Sequence, residues 1–252
     1  LFDRQGSRIS LTDSGKLLLE HCERILEDYK RLEYEMHLLH NEYTGGLKLG
    51  ASTTIAQYVL PPLLASFIGK FPQVNLSLLN GNSREIEAAL QEHRIDLGFV
   101  EGVFRLPNIK YTTFLEDELV AVVRTGSRLT VGEEITPEEL LHLPLVLRER
   151  GSGTLDVFER ALQQHNIKLS SLQVLMYLGS TESIKLFLEH TDCLGIVSIR
   201  SITRELYSGQ LRVVEIKGMP MLRDFSFAQP QGQESGLAQV FMQFAMHNNN
   251  KL

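Results

Sequence analysis

The sequence predicts an α/β protein in which a long helix precedes a domain of two lobes. From residue 18 to residue 43, apolar side chains recur at alternating steps of four and three, which is the spacing of a coiled-coil seam. From residue 47 onward, short apolar runs typical of strands alternate with segments typical of helices. A last strand and helix follow the second set of strands, which indicates that the chain returns to the first lobe. Together these observations predict a mostly parallel sheet with helices on both faces.

The long helix is predicted over residues 15–45, after a short β-ribbon over residues 1–14. Thr12 is a good N-cap, and Asp13 adds negative charge to the positive end of the helix. Gly45 and Gly46 end the helix. A single helix cannot bury a seam of this length, so the seam needs a partner, most simply a second copy of the chain. The predicted dimerisation residues are Leu18, Cys22, Ile25, Tyr29, Leu32, Met36, Leu39 and Tyr43.

The first lobe is predicted to comprise residues 46–124 and 223–247. Pro61 and Pro62 interrupt or restart its first helix, because proline cannot donate a backbone hydrogen bond inside a helix. The expected strands cover 47–51, 74–79, 95–100 and 119–124, and the expected helices cover 54–70 and 84–93.

The second lobe is predicted to comprise residues 125–222. Its expected strands cover 145–148, 173–178, 194–199 and 211–216, and its expected helices cover 154–166 and 182–190. A strand over 225–227 and a helix over 236–247 close the chain. The two segments expected to cross between the lobes lie near 122–126 and 223–227.

The composition is that of an ordinary folded protein, with 43% hydrophobic and 22% charged residues. A net charge of −6 argues against a surface that coats nucleic acid. Cys22 and Cys193 lie far apart and are interpreted as small buried apolar residues rather than as a disulfide or a metal pair. No leader pattern and no apolar run of about 18 residues occurs, so we expect a cytoplasmic protein without a membrane partner.

Four strand-to-helix junctions carry polar residues suited to hold an anion. Open α/β sheets bind ligands at the carboxyl ends of their strands, where the next helix offers free N–H groups. The first junction contains Ser52, Thr53 and Thr54, whose hydroxyls could also serve only as helix caps. The second, over residues 148–154, has the composition of an anion nest. Its candidate residues are Arg148, Ser152, Gly153 and Thr154.

In that second junction Glu149 is expected to point away from Arg148 if the strand continues, and the arginine could instead be solvated or paired with a nearby acid. The third junction contains Ser180 and Thr181, and the fourth contains Val197 and Ser198. Either of these could be only a turn.

Glu101 ends the third strand, and we place it at the same mouth as the four junctions. As an alternative, it could be a solvated acid at a strand end. Its charge would raise the cost of a nearby anion unless it turns outward or pairs with an arginine.

Catalytic patterns are missing from the sequence. The eight histidines are scattered without the spacing of metal ligands, and no dinucleotide fingerprint occurs. No set of nucleophile, base and orienting group is evident. We therefore predict no catalytic residues, no metal and no cofactor.

Several motifs together carry a family resemblance. They are the pattern LF-x-R … I-x-LT-x-x-G before a long helix, then GASTT … LP from residue 50, IDLGFV from 95, RERGSGT from 148 and GIVS from 195. In order and spacing they resemble the LysR-type transcriptional regulators. The resemblance implies that residues 1–14 are part of the wing of a winged helix-turn-helix domain, with Arg4 and Arg8 against the DNA backbone. The recognition helix of that domain is not among the 252 residues.

The resemblance also implies a function. The long helix would dimerise the protein, and the two-lobed part would be a type-2 periplasmic-binding-protein-like effector domain whose third and fourth junctions border the cleft. A small anionic metabolite would bind between the lobes and alter the geometry of a homodimer or homotetramer. Operator DNA would be bound through the full-length parent. The alternatives are a free-standing solute-binding protein and an enzyme, both on the same fold.

Overall fold

The structure, a computed structural model, describes residues 1–5, 8–40, 43–129, 132–232 and 236–248, with only part of the side chains in the long helix. The chain divides into two compact units, Leu1–Thr44 and Gly45–Leu252.

The first unit is a β-ribbon followed by one helix. Strand β1 (Phe2–Gln5) pairs antiparallel with β2 (Arg8–Leu11), and helix α1 spans Asp13–His40. Thr12 caps this helix as predicted, because its Oγ1 accepts a hydrogen bond of 3.1 Å from the N–H of Gly15. Arg4 is exposed on β1, and the side chain of Arg8 lies outside the described part.

The predicted seam residues of α1 are largely exposed in the single chain. Tyr43 is half-buried, and the side chain of Leu39 lies outside the described part. Cys22 is exposed, so its interpretation as a buried apolar residue is wrong for one copy of the chain. The other five expose between 46% and 66% of their surface: Leu18, Ile25, Tyr29, Leu32 and Met36.

The second unit begins with three parallel strands in the order β4-β3-β5. These are β3 (Gly45–Ser52), β4 (Val74–Gly81) and β5 (Leu97–Glu101), and the helices between them are α2 (Thr53–Tyr58), α3 (Leu60–Lys70) and α4 (Ser83–Gln91). The predicted restart at Pro61 and Pro62 is confirmed, because the segment divides into α2 and α3. The prolines begin α3, because the first positions of a helix need no N–H donor.

The remaining elements alternate strands and helices. They are β6 (Ile109–Arg124), β7 (Glu134–Ile135), β8 (Pro144–Arg148), α5 (Gly153–Gln164), β9 (Gln173–Leu178), α6 (Thr181–His190), β10 (Leu194–Ser198), α7 (Thr203–Tyr207), β11 (Leu211–Ile216), β12 (Met221–Pro230) and α8 (Gly236–Asn248). Short 3-10 turns lie at Glu139–His142, Leu169–Ser171 and Ile199–Ser201.

One mixed sheet joins the two lobes, with the strand order β4-β3-β5-β12-β6-β10-β8-β9. The pairs at both ends are parallel, but β12 and β6 run antiparallel to their neighbours, so the prediction of a mostly parallel sheet is wrong in the middle. Strand β6 pairs with β12 up to Leu119 and with β10 and β11 beyond it. The long strands β6 and β12 therefore connect the lobes, while the exact lobe boundaries stay a prediction.

Aromatic side chains pack the last helix onto the first lobe. Phe241 and Phe244 of α8 lie 4.8 Å and 5.2 Å from the ring of Phe67 on α3. Helix α5 contributes to a separate apolar core, with Phe158 fully buried. None of the helices in the described ranges is both long and apolar enough to cross a membrane.

Candidate functional site

The polar residues at the strand ends meet around Glu101, the last residue of β5. Only 4% of Glu101 is exposed, so the alternative of a solvated acid is wrong. Its Oε1 accepts hydrogen bonds from the hydroxyls of Thr54, at 3.2 Å, and Thr154, at 3.4 Å. Thr54 belongs to α2 and Thr154 to α5, so this carboxylate joins helices from both halves of the sheet.

Arg223 neutralises Glu101, although the sequence analysis did not single out this arginine. Its Nη1 lies 3.2 Å from Oε1 of Glu101 and donates to Oγ1 of Thr154 at 3.0 Å. Its Nε and Nη2 each lie 2.7 Å from Oδ2 of Asp117. Asp117 is the cross-strand partner of Arg223 in the register of β6 and β12, which favours a pair of opposite charges. Glu101 therefore pairs with an arginine. This is one of the two arrangements in which its charge would not raise the cost of a nearby anion.

Asp117 has two further partners. Ser198 donates to its Oδ1 at 2.7 Å, and Nε of Arg200 lies 3.7 Å from the same oxygen. Two carboxylates and two guanidinium groups thus form one cluster, in which the formal charges balance. Ser198, predicted as an effector contact, is here part of this charge cluster.

Arg148, at the end of β8, is 1% exposed. Its Nε and Nη2 donate to the carboxylate of Glu149 at 2.8 Å and 3.0 Å. The expectation that Glu149 points away is wrong, because β8 ends at Arg148 and the alternation of a strand ends with it. Nη2 also lies 3.4 Å from Oγ1 of Thr53 and from the carbonyl oxygen of Gly179.

Two buried polar atoms of these junctions lack a hydrogen-bond partner among the described residues. They are Nη1 of Arg148 and Oγ of Ser52. Ser52 directly precedes Thr53 and is 1% exposed. Buried polar groups are nearly always paired in native proteins, so these two atoms mark a place where a partner is expected.

Gly151 and Gly153 let the two lobes approach closely. A Cβ atom on Gly153 would lie 2.2 Å from the carbonyl oxygen of Glu101. Gly151 has a φ of +92°, and its carbonyl oxygen accepts a hydrogen bond of 3.3 Å from the N–H of Arg84. Ser152 caps α5 by accepting from the N–H of Thr154 at 3.2 Å.

The third junction adjoins Arg148 through Gly179, and Ser180 caps α6 by accepting from the N–H of Ser183. Thr181 is buried at the first position of that helix. Val197 belongs to an apolar core cluster with Val122 and other aliphatic side chains. The side chain of Val197 therefore fills the core of its lobe.

Helices α2 and α6 contact each other beside this junction. The hydroxyl of Tyr58 donates to Glu182, and Nζ of Lys185 lies 2.8 Å from both Glu182 and Glu205. Burial and the hydrogen bond to Glu182 raise the pKa of Tyr58 above its ordinary value. Burial alone would raise the pKa of Glu182, but the hydrogen bonds from Lys185 and Tyr58 outweigh it and lower that pKa.

A cavity of about 360 Å³ borders the charge cluster through Asp117 and Arg223. It is otherwise lined by Gly102, Val103, Arg105, Glu116, Arg160, Leu222 and Asp224. None of the predicted effector residues lines it. In the described ranges, no group of three or more histidine, cysteine, aspartate or glutamate side chains is placed to hold a metal ion.

Comparison with known proteins places this geometry in a family. The family model described as "LysR substrate binding domain" matches residues 40–249. The HTH-type transcriptional regulator YeiE of Escherichia coli (strain K12) is 35% identical over 216 residues, which cover 86% of this chain and 71% of that protein. The RuBisCO operon transcriptional regulator of Acidithiobacillus ferrooxidans is 30% identical over 245 residues, with 97% and 78% covered.

Solved structures agree with these relatives. The regulatory domain of CcmR from Synechocystis PCC6803, solved in complex with 2-PG, is 27% identical with a TM-score of 0.73, and the match covers 81% of this chain and 97% of that one. The effector-binding domain of QuiR, solved with shikimate, shares the fold at 19% identity and a TM-score of 0.72, with 83% and 99% covered. The protein is thus a regulator that senses an effector, and not an enzyme. The chain belongs to the LysR family of transcriptional regulators.

Proposed function

We propose that a small anionic metabolite binds between the two lobes, at the site formed by Ser52, Thr53, Arg148, Thr181 and the start of α5. The CcmR regulatory domain carries 2-PG, and the QuiR domain carries shikimate, which is a carboxylate. A small acid at a site between lobes is consistent with both.

The observation that carries this proposal is the buried guanidinium of Arg148. Its Nη1 and the Oγ of Ser52 have no hydrogen-bond partner in the described part of the chain. Leaving a buried donor unsatisfied costs roughly 1–3 kcal/mol, and more for a charged group. An oxyanion could accept from both atoms at once. Glu149 already offsets the charge of Arg148, so the oxyanion would be held mainly by hydrogen bonds.

Binding at this position would act on contacts that join the lobes. Glu101 contacts Thr154 across the lobes, and Tyr58 contacts Glu182. A ligand shifts a conformational equilibrium only by its difference in affinity for the two states. An acid that contacts residues of both lobes has that difference, because opening the lobes would separate those residues.

The lobe movement would change how copies of the protein associate in the cytoplasm. The exposed seam of α1 supports pairing with a second copy, in a homodimer or homotetramer. The edge strands support it as well, since β4 exposes Leu78 and Leu79 and β9 exposes Leu175, Met176 and Tyr177. A change in subunit geometry would alter which operator half-sites the helix-turn-helix domains of the full-length regulator reach.

Calorimetric titration of the chain with acids and amines tests this proposal. The panel is inorganic phosphate, sulfate, shikimate, short carboxylates and the cationic amine putrescine. We expect an acid to bind most tightly, and Arg148→Gln to weaken it at least about tenfold, because a charge-assisted hydrogen bond is lost. The matched control is Arg150→Gln, since Arg150 is exposed two residues away. Tightest binding of putrescine, or equal binding by both variants, would refute the anion site.

A further inference from the structure

We infer that the effector is a hydroxy acid, whose hydroxyl group donates a hydrogen bond to Glu101 while its anionic group accepts from Arg148. This inference rests on the proposed function and adds the chemical class of the ligand. It assigns Glu101 as the residue that determines specificity.

The two carboxylate oxygens of Glu101 differ in their surroundings. Oε1 has three donors, which are the hydroxyls of Thr54 and Thr154 and the Nη1 of Arg223. Oε2 is buried and has no hydrogen-bond partner among the residues that the structure describes. The three donors around Oε1 fix the carboxylate, so Oε2 presents a single acceptor position that requires a donor.

Arg148 and Glu101, which carry the unpartnered atoms Nη1 and Oε2, contact neighbouring residues at the start of α2. Thr53 and Thr54 are consecutive at the start of α2, so their Cα atoms lie about 3.8 Å apart. The hydroxyl of Thr53 lies 3.4 Å from the guanidinium of Arg148, and the hydroxyl of Thr54 donates to Glu101 at 3.2 Å. Ser52, with its own unpartnered Oγ, immediately precedes them. One small molecule could therefore accept from Arg148 and donate to Glu101.

Charge balance decides which donor the ligand carries. Glu101 and Asp117 are offset by Arg223 and Arg200, so the cluster carries no formal excess of negative charge. An ammonium group on Oε2 would share the Glu101 carboxylate with the guanidinium of Arg223, so two positive charges would meet at one negative charge. A hydroxyl group satisfies Oε2 without adding a charge at this position. The position therefore favours a hydroxy acid over an amino acid.

Matched sets of acids separate these classes. The sets are glycolate and acetate, then lactate, propionate and alanine, and then malate, succinate and aspartate. Each is titrated calorimetrically into the full 252-residue chain. We expect the best-bound hydroxy acid to bind about tenfold to a hundredfold more tightly than its deoxy analogue, because the deoxy acid leaves Oε2 unpaired. It should also bind more tightly than the amino analogue.

Glu101→Gln replaces the hydrogen-bond acceptor at the place of Oε2 with a donor. The three donors require an oxygen at the place of Oε1, so the amide nitrogen takes the place of Oε2 and turns an acceptor into a donor. We expect the ratio of hydroxy acid to deoxy acid binding to fall to about one. Glu92→Gln is the control, because Glu92 is exposed and pairs only with Arg94 in the described part of the chain.

The outcomes distinguish the inference from the function on which it rests. If a deoxy acid binds as tightly as its hydroxy analogue, or the preference survives Glu101→Gln, the inference is wrong and the anion site stands. An amino acid binding most tightly would also refute it. If no acid binds, or Arg148→Gln has no effect, the proposed function falls and the inference falls with it. The ratio measured on the unmutated chain remains decisive if Glu101→Gln does not fold.

Discussion

The long helix and the junction between the lobes depart from ordinary burial in opposite directions. Helix α1 exposes Ile25 and Leu32 to 66% and 57%, although both are large apolar residues. The junction buries Arg148, Glu101 and Arg223 almost completely, although all three are charged. Both are unusual, because large apolar side chains tend to lie inside and charged side chains outside.

The two departures call for different partners. An apolar stripe on a helix gains free energy from another apolar surface, which a second protein chain supplies. A buried guanidinium with one unpartnered nitrogen gains from a compact polar group, which a small ligand supplies. The contrast therefore separates an association surface from a ligand site without reference to any relative.

The largest expected effect is on the helix. Burying a leucine contributes about 1.5–3 kcal/mol, and a dimer buries two copies of each seam residue. Leu32→Asp should therefore weaken self-association by about 3–6 kcal/mol, a hundredfold or more in the dissociation constant. Sedimentation equilibrium measures this. Leu17→Asp is the control, since Leu17 is equally exposed but lies off the seam. An unchanged oligomer in Leu32→Asp would mean that α1 is not the association surface.

The next effect belongs to the buried charges. Arg223→Met removes the partner of both Glu101 and Asp117, and breaking a buried ion pair costs about 3–5 kcal/mol. Arg94→Met breaks only the exposed pair with Glu92, for which about 1 kcal/mol or less is expected. Urea denaturation gives both free energies of unfolding. Equal losses in the two variants would show that the buried cluster has no special role in stability.

The smallest effect concerns the close approach of the lobes. A methyl group on Gly153 would collide with the backbone of Glu101, so Gly153→Ala should destabilise the protein by about 1–3 kcal/mol. Gly69→Ala is the matched control in α3, where, apart from its chain neighbours and its own helix backbone, no atom of the described residues lies within 4 Å of the added methyl group. It should stabilise by up to about 1 kcal/mol, because alanine favours the helix. Thermal denaturation compares the two, and destabilisation by Gly69→Ala alone would contradict the close contact.

Local patterns in the sequence predicted much of the fold. Thr12 was expected to cap the long helix and does so, because capping depends only on neighbouring residues. Most strands of the second unit begin and end within a few residues of their predicted bounds. Strand β6 is the exception: the structure extends it back to Ile109, ten residues before the predicted start, through a polar stretch with weak apolar alternation.

The charge cluster could not be predicted, because it depends on register. Asp117 and Arg223 face each other only once β6 and β12 pair antiparallel, and they are 106 residues apart in the chain. A signal was present, since Arg223 alternates with Met221 and Phe225 on the buried side of its strand. Without the register of the strands, that arginine could not be assigned a partner.

A crystal structure of the chain with its tightest-binding acid decides whether Arg148 and Ser52 form the anion site. We predict that the anionic group lies within hydrogen-bond distance of Nη1 of Arg148 and Oγ of Ser52, with a hydroxyl group of the acid on Oε2 of Glu101. The account would be contradicted if the acid lay instead in the cavity lined by Arg105 and Arg160, with Nη1 of Arg148 left without a partner.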